Sequence, residues 1–324
     1  MKLGALIAAL AGVALAAWLV FAVGFSGVAA AIRAAGWSGF ALLVGYGLAM
    51  FLVLGLAWRA LIAAGGGAGR YVWARMVRDS AGEVLPFSQF GGILLGARAL
   101  SLHGLKAANA MASTTVDLTT EMMAQIAFIA MGLSVFVLRF GLAAKGLSAA
   151  ILAGVAFVIA GSLAFIVLQR SGAALAERLA TRFFPGGLRH AQAFRRALEA
   201  IYEHPTRLAL SASLHLLAWI ASAGATWLAI RLVGGTVDLS GAIAIESILC
   251  ALRSAAIVVP AALGVQEAGY ALMLPLFGLP AEMGLAISLL KRGREIVIGA
   301  PVLFAWQALE GRHAFKAETL GGAE

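Results

Sequence analysis

The chain has 324 residues, 62% of them hydrophobic and only 12% charged, with a mean hydropathy of +0.96. Soluble domains are about 25% charged, so this composition excludes an ordinary water-soluble fold and describes an all-α, polytopic membrane protein. The net charge of +9 fits cytoplasmic loops and anionic lipid headgroups, and no nucleic-acid partner is expected.

A membrane-crossing helix needs about 20 apolar residues. The first such run is 3–24, directly after Met1-Lys2. It is too long for the core of a signal peptide and reads as a retained first span. Further runs lie at 37–63, 107–138, 146–168 and 208–233. Residues 239–309 are apolar almost throughout but are punctuated by Pro260, Pro275, Pro280 and Pro301 and by Gly264, Gly269 and Gly293. Two or three spans fit there, for a transmembrane helical bundle of about seven spans, with roughly six to eight allowed.

Basic residues set the expected orientation. The polar stretch 169–207 carries Arg170, Arg178, Arg182, Arg189, Arg195, Arg196 and Arg207 against Glu177, Glu199 and Glu203. Arg70, Arg75 and Arg78 follow the second span. Both segments are expected as cytoplasmic loops, and four spans before 169 put the N-terminus in the cytoplasm too. The single transmembrane domain then has two halves, 1–168 and 208–324, joined by the basic loop 169–207.

Two apolar stretches are too broken for ordinary spans. One, 83–105, holds Pro86, Gly91, Gly92, Gly96, Arg98 and Gly104; the other, 258–279, holds Pro260 and Gly264. Each precedes a long helix with charges inside it, and an arginine precedes each proline, Arg78 before Pro86 and Arg253 before Pro260. Paired broken segments point to an internal repeat with two re-entrant segments facing one another. The alternative is two loops lying on the bilayer surface.

The charges inside apolar segments carry the functional argument, since each costs roughly 2.5–3.5 kcal/mol at the centre of a membrane helix. Ser113, Asp117, Glu121 and Gln125 recur every four residues and share one helix face. Asp117 and Glu121 repel unless a cation or proton sits between them; the stripe either lines a path or faces water at a helix end. Glu246, Cys250 and Arg253 also share a face, and Gly264 and Gly269 bracket Gln266 and Glu267. Lys291, Arg292, Arg294 and Glu295 interrupt the apolar stretch 281–309, with Lys291 and Glu295 at i,i+4 spacing. This cluster is either a wall of a polar site or a turn at the membrane surface. In all, Asp117, Glu121, Glu246, Glu267 and Glu295 face Arg98, Arg253, Lys291, Arg292 and Arg294. So balanced a set suggests mutual pairing or a polar cavity for an amphiphile's headgroup.

Candidate translocation-path residues are therefore Arg98, Asp117, Glu121, Arg253, Gln266, Glu267, Arg292, Arg294 and Glu295. Pro86, Gly92, Pro260 and Gly264 are the candidate broken-segment positions. The arginines suit phosphate or hydroxyl groups; Asp117, Glu121 and Glu267 suit cations, hydroxyls or protons. No enzyme activity, metal or other cofactor is expected. The only cysteine is Cys250, no histidine pair has ligand spacing, and the glycine-rich 65–70 lacks the Lys-Ser/Thr of a phosphate loop.

The run Arg78-Asp79-Ser80-Ala81-Gly82-Glu83-Val84-Leu85-Pro86, with Gly91-Gly92, Gly96-Ala97-Arg98 and Thr115-Val116-Asp117-Leu118-Thr119-Thr120-Glu121, resembles the first half of flippase-like membrane proteins. These are related to the transmembrane region of lysylphosphatidylglycerol synthases. Leu252-Arg253-Ser254-Ala255-Ala256, Val259-Pro260, Leu263-Gly264-Val265-Gln266-Glu267 and Ala305-Trp306-Gln307 resemble the subgroup associated with hopanoid biosynthesis. Pro260-Ala261-Ala262 departs from the pattern, which leads one to expect a glycine after the proline. The resemblance implies a bacterial inner-membrane protein that translocates or handles lipids, hopanoid or another amphiphile. Its partners would be membrane lipids and lipid-biosynthetic or lipid-export proteins. It does not extend to the soluble aminoacyl-transferring domain of the bifunctional relatives, so synthase activity is not expected. A membrane scaffold for lipid-biosynthetic enzymes and an intramembrane headgroup enzyme are the alternative readings.

Overall fold

The computed structural model describes residues 25–62, 66–84, 89–141, 187–256 and 264–321, with 156, 159–161, 164 and 262 between them. Among the described residues all regular structure is helical. That is what a bilayer demands, since each backbone N–H and C=O must find a partner without water. In chain order the helices are α1 (Phe25–Ala35), α2 (Trp37–Ala60), α3 (Ala68–Val84), α4 (Gln89–Leu102), α5 (Ala107–Phe140), α6 (Gly187–Tyr202), α7 (Pro205–Leu232), α8 (Leu239–Ala255), α9 (Val265–Met273) and α10 (Ala281–Gly321). A 3-10 turn, Leu274–Phe277, follows α9.

Three helices, Trp37–Ala60, Ala107–Phe140 and Pro205–Leu232, are long and apolar enough to cross a membrane. They fall on the expected runs 37–63, 107–138 and 208–233. The expected span 3–24 and nearly all of 146–168 lie outside the described residues, as do Pro86 and Pro260. Helix ends follow local chemistry. α7 opens on Pro205, whose missing N–H is free of cost in a first turn, and α5 stops at Gly141 with φ +68°.

α3 and α4 form a tight antiparallel hairpin. A Cβ on Gly92 would meet the carbonyl oxygen of Arg78 at 2.5 Å, and one on Gly96 would meet the Arg78 side chain. At 17 and 14 residues the two helices are about 26 and 21 Å long, too short for a hydrocarbon core of about 30 Å. The expected cytoplasmic loop with Arg70, Arg75 and Arg78 is therefore corrected. The segment is helix α3, with Arg75 and Arg78 on its buried face, because carboxylates on α5 receive them there. α2 packs closely on this hairpin, and a Cβ on Gly55 would lie 2.6 Å from the Cα of Val72. Gly55→Ala is therefore expected to destabilise the protein by about 1–3 kcal/mol, as overpacking against backbone does, and a thermal melt in detergent measures it.

In the second half α9 packs along α8, with Gly269 against Leu249 and Leu252, and the long α10 follows. One open alternative is closed here and one expectation is corrected. Lys291, Arg292, Arg294 and Glu295 lie inside the continuous helix α10, not in a surface turn, and Pro301 does not break that helix. Glu246 on α8 and Glu267 on α9 hold Lys291 and Arg292 inside the bundle, Arg294 meets Glu295 on α10 itself, and Pro301 lies on the exposed side.

The two hairpins open from opposite ends of the bundle. Arg70 reaches the carbonyl of His103 at the open end of α3/α4. There α6 packs Leu198 and Ile201 into a core with Ala110, Ala112 and Trp306. Part of the expected basic loop 169–207 is thus a helix seated on α5. At the other end Phe140 meets Phe277 edge-on at 5.1 Å, and Arg139 pairs with Asp238 at 2.7 Å. α5 runs from the first end to the second and α10 runs back.

Candidate functional site

Three groups of charges occupy the interior. The first joins α3, α5 and α7. Arg75 pairs with Asp79 at 2.7 Å, with Asp117 at 3.1 Å and with Glu121 at 2.5 Å. Arg78 pairs with Asp117 at 2.7 Å, with Asp79 at 3.2 Å and with Glu121, while its guanidinium lies 5.8 Å from the Trp58 ring centroid. The cation expected between Asp117 and Glu121 is thus a pair of arginines. Their planar forks bridge several carboxylates at once. His215 of α7 completes the group, its Nε2 3.0 Å from Asp117 Oδ1, with both side chains fully buried.

The second group joins α7, α8, α9 and α10. Lys291 Nζ lies 2.8 Å from both oxygens of Glu246 and 3.0 Å from the hydroxyls of Thr226 and Tyr270. Ser222, Thr226 and Tyr270 each donate to Glu246. The expected i,i+4 pairing of Lys291 with Glu295 is corrected. Lys291 points the other way, and Glu295 meets Arg294 at 3.4 Å. Every polar atom of this group is engaged and its two charges are buried, so it ties four helices together.

The third group sits where the ends of α3 and α8 meet the start of α9 and the middle of α10. Glu267 accepts Arg292 Nε at 2.7 Å and Ser288 Oγ at 2.8 Å. It also caps α9 by accepting the N–H of Gly264 at 2.8 Å, whose φ of +79° suits glycine. Gln266 is buried and donates to Ser288. Ala262, in the stretch that departs from the family pattern, adopts φ +46°, and its carbonyl accepts from Arg292. Beside this group Arg253 at the end of α8 pairs with Glu83 at the end of α3, at 3.0 Å. Glu83 also lies within electrostatic reach of Glu295, Arg292 and Asp79. These side chains are not sealed. Glu83 is 33% exposed, Arg253 28% and Glu267 23%.

The expected site residues therefore divide. Arg253, Gln266, Glu267, Arg292, Arg294 and Glu295 gather in or beside the third group; Asp117 and Glu121 belong to the first group. Arg98 stands apart, half-exposed and paired with Glu310 at 2.8 Å. Sequence reasoning passed over Arg75, Arg78, Asp79, Glu83 and His215. The helical spacing of Tyr71, Ala74, Val77 and Ala81, all fully buried, was the available signal for the first three. His215, a lone histidine in an apolar helix, offered none.

No curated protein and no solved structure matches the chain. The model of the family described as "Lysylphosphatidylglycerol synthase TM region" matches residues 6–302. The match includes both hairpins and all three charged groups, and the chain belongs to that family.

Proposed function

We propose that this is a multi-pass protein of the bacterial inner (cytoplasmic) membrane that moves amphiphilic lipids between leaflets as a flippase. The carrying observation is the Glu83–Arg253 pair, where two short hairpins opening from opposite ends of the bundle touch. Charges that are partly exposed at membrane depth mark substrate or ion paths. Two broken segments in corresponding positions are the usual place for a transport site. In this reading α3–α4–α5 and α8–α9–α10 form an inverted repeat. A headgroup crosses between the tips, meeting Arg253, Arg294, Glu83, Glu267 and Glu295, while its tails stay in lipid. The end of the bundle bearing Arg59, Arg70, Lys106, Arg195 and Arg207 faces the cytoplasm by the positive-inside rule, and the N-terminus lies on the same side. Hopanoids enter as candidate substrates through the second-half motif around Gly264-Val265-Gln266-Glu267. Lipid-biosynthetic or lipid-export proteins are the corresponding partners.

The test is leaflet exchange in reconstituted vesicles, with labelled phosphatidylglycerol, phosphatidylethanolamine and a hydroxylated hopanoid as probes. Wild type should accelerate exchange of at least one probe. Arg253→Ala should slow it about tenfold, equivalent to ~1.4 kcal/mol in the barrier. Exchange no faster than in protein-free vesicles for every probe overturns the reading. The scaffold alternative draws on the fully paired Glu246–Lys291 group, and it alone predicts normal function in Arg253→Ala.

A further inference from the structure

The first charged group holds an odd number of charges. Arg75 and Arg78 supply two positive charges; Asp79, Asp117 and Glu121 supply three negative ones. One negative charge is left over in a group whose Asp117, Arg75 and Arg78 are buried, with Asp79 and Glu121 partly exposed at 25% and 16%. An uncompensated charge in such a place is expensive. The remaining titratable side chain in contact is His215, which is fully buried.

The chemistry of that contact is constrained. A carboxylate only accepts, so His215 Nε2 carries a hydrogen and donates it to Asp117 across 3.0 Å. The opposite ring nitrogen, Nδ1, is buried and has no hydrogen-bond partner. With Nδ1 bare, the ring is neutral and the group keeps its surplus negative charge. With Nδ1 protonated, the charges sum to zero, but a buried N–H is left without an acceptor, which also costs free energy. Charge balance and hydrogen bonding thus act in opposite directions on one atom. A site that must both take and release a proton needs such opposition.

Other helices packed on α7 do not alter this balance. α2 carries one ionisable group besides Tyr46, namely Arg59, which is turned to the Gly66 carbonyl. On α8 and α10, Glu246 is committed to Lys291, Arg253 to Glu83, Arg292 to Glu267 and Arg294 to Glu295. Arg33 of α1 and Arg189 and Arg196 of α6 are exposed, and Arg195 of α6 pairs with Glu199. The charges facing His215 are those of α3 and α5. α3 also leads from the group to the hairpin tips, with Arg75, Arg78 and Asp79 followed one turn later by Glu83, whose carboxylate feels Asp79 and pairs with Arg253.

We propose that His215, with Asp117 and the arginine pair, is a proton-binding site, and that its proton is the coupling ion for the lipid movement proposed above. The proton adds to Nδ1 and leaves from it; no other bond changes. Protonation relieves the surplus negative charge around Arg75 and Arg78 and so changes how tightly α3 is held to α5. The coupling rests on the flippase reading, whereas proton binding itself does not.

Two measurements keep these apart. In full-length protein labelled with 15N-histidine and reconstituted in bilayers, one imidazole signal, absent from His215→Gln, should pass between neutral and charged forms as the pH is lowered from 9 to 5. A signal held in one form throughout overturns the proton site, whether or not lipid moves. In vesicles with an imposed gradient of about one pH unit, wild-type exchange of labelled phosphatidylglycerol or phosphatidylethanolamine should change several-fold. About tenfold is the ceiling for one proton per lipid. His215→Gln, which keeps a donor toward Asp117 but has no basic nitrogen, should show the same rate with and without the gradient. A gradient effect that survives in His215→Gln, or wild-type exchange indifferent to the gradient, overturns the coupling while leaving lipid movement standing. Absence of exchange in wild type under all conditions overturns the flippase reading, and with it the coupling.

Discussion

Lys291→Met is expected to cost the protein about 3–5 kcal/mol of stability, the penalty for leaving a buried charge without its counter-ion. Glu246 would keep the hydroxyls of Ser222, Thr226 and Tyr270, but three neutral donors do not replace an ammonium 2.8 Å from both oxygens. Adding Glu246→Gln should recover most of the loss, because the double variant removes both charges together. Thermal unfolding in detergent, followed for the two single variants and the double, reads the cycle. A loss below about 1 kcal/mol in Lys291→Met would show that water reaches the pair as it does a surface ion pair.

Arg78→Gln should be comparably severe, at about 3–5 kcal/mol, and more severe than Asp117→Asn. Removing Arg78 leaves Arg75 alone against Asp79, Asp117 and Glu121. It also strips Trp58 of the cation over its ring. Asp117→Asn instead leaves two arginines facing two carboxylates. The cost is then about 1–3 kcal/mol for impaired hydrogen bonds to Arg75, Arg78 and His215. The same melts measure both, and the reverse order would show that the surplus charge lies elsewhere.

What the sequence revealed was governed by period and by distance. The helices Trp37–Ala60, Ala107–Phe140 and Pro205–Leu232 were legible because a long apolar run has one outcome in a bilayer. The shared face of Asp117 and Glu121 was legible because both sit on one helix. Arg75 and Arg78 were misread because charges shortly after a glycine-rich turn look like a loop; only the partner on α5, about forty residues away, explains their burial. The same limit misassigned Lys291. Its spacing to Glu295 is local, whereas Glu246 is 45 residues distant and approaches only through the packing of α8 on α9 and α10. His215 shows the limit most plainly, since its significance rests on a buried ring nitrogen that lacks a hydrogen-bond partner.

The way the interior charges are distributed bears on how the chain is made. Arg75, Arg78, Asp79, Asp117 and Glu121 all precede α6, and Glu246, Lys291, Glu267 and Arg292 all follow it. Each half therefore emerges from the ribosome carrying its own counter-ions. The arginines of α3 need wait only for α5 before they are neutralised in the membrane, and Glu246 only for α10. Across the halves, interior charged groups meet at His215–Asp117 and Arg253–Glu83, and neutral polar groups at Thr120–Ser211 and from Gln125 to Cys250 and Ser254. The arginines of the first part and the charges of the second thus have partners within their own part, so the two parts can insert separately and dock afterwards. Co-expressed fragments divided ahead of α6 should assemble in the membrane, each stable enough to await the other.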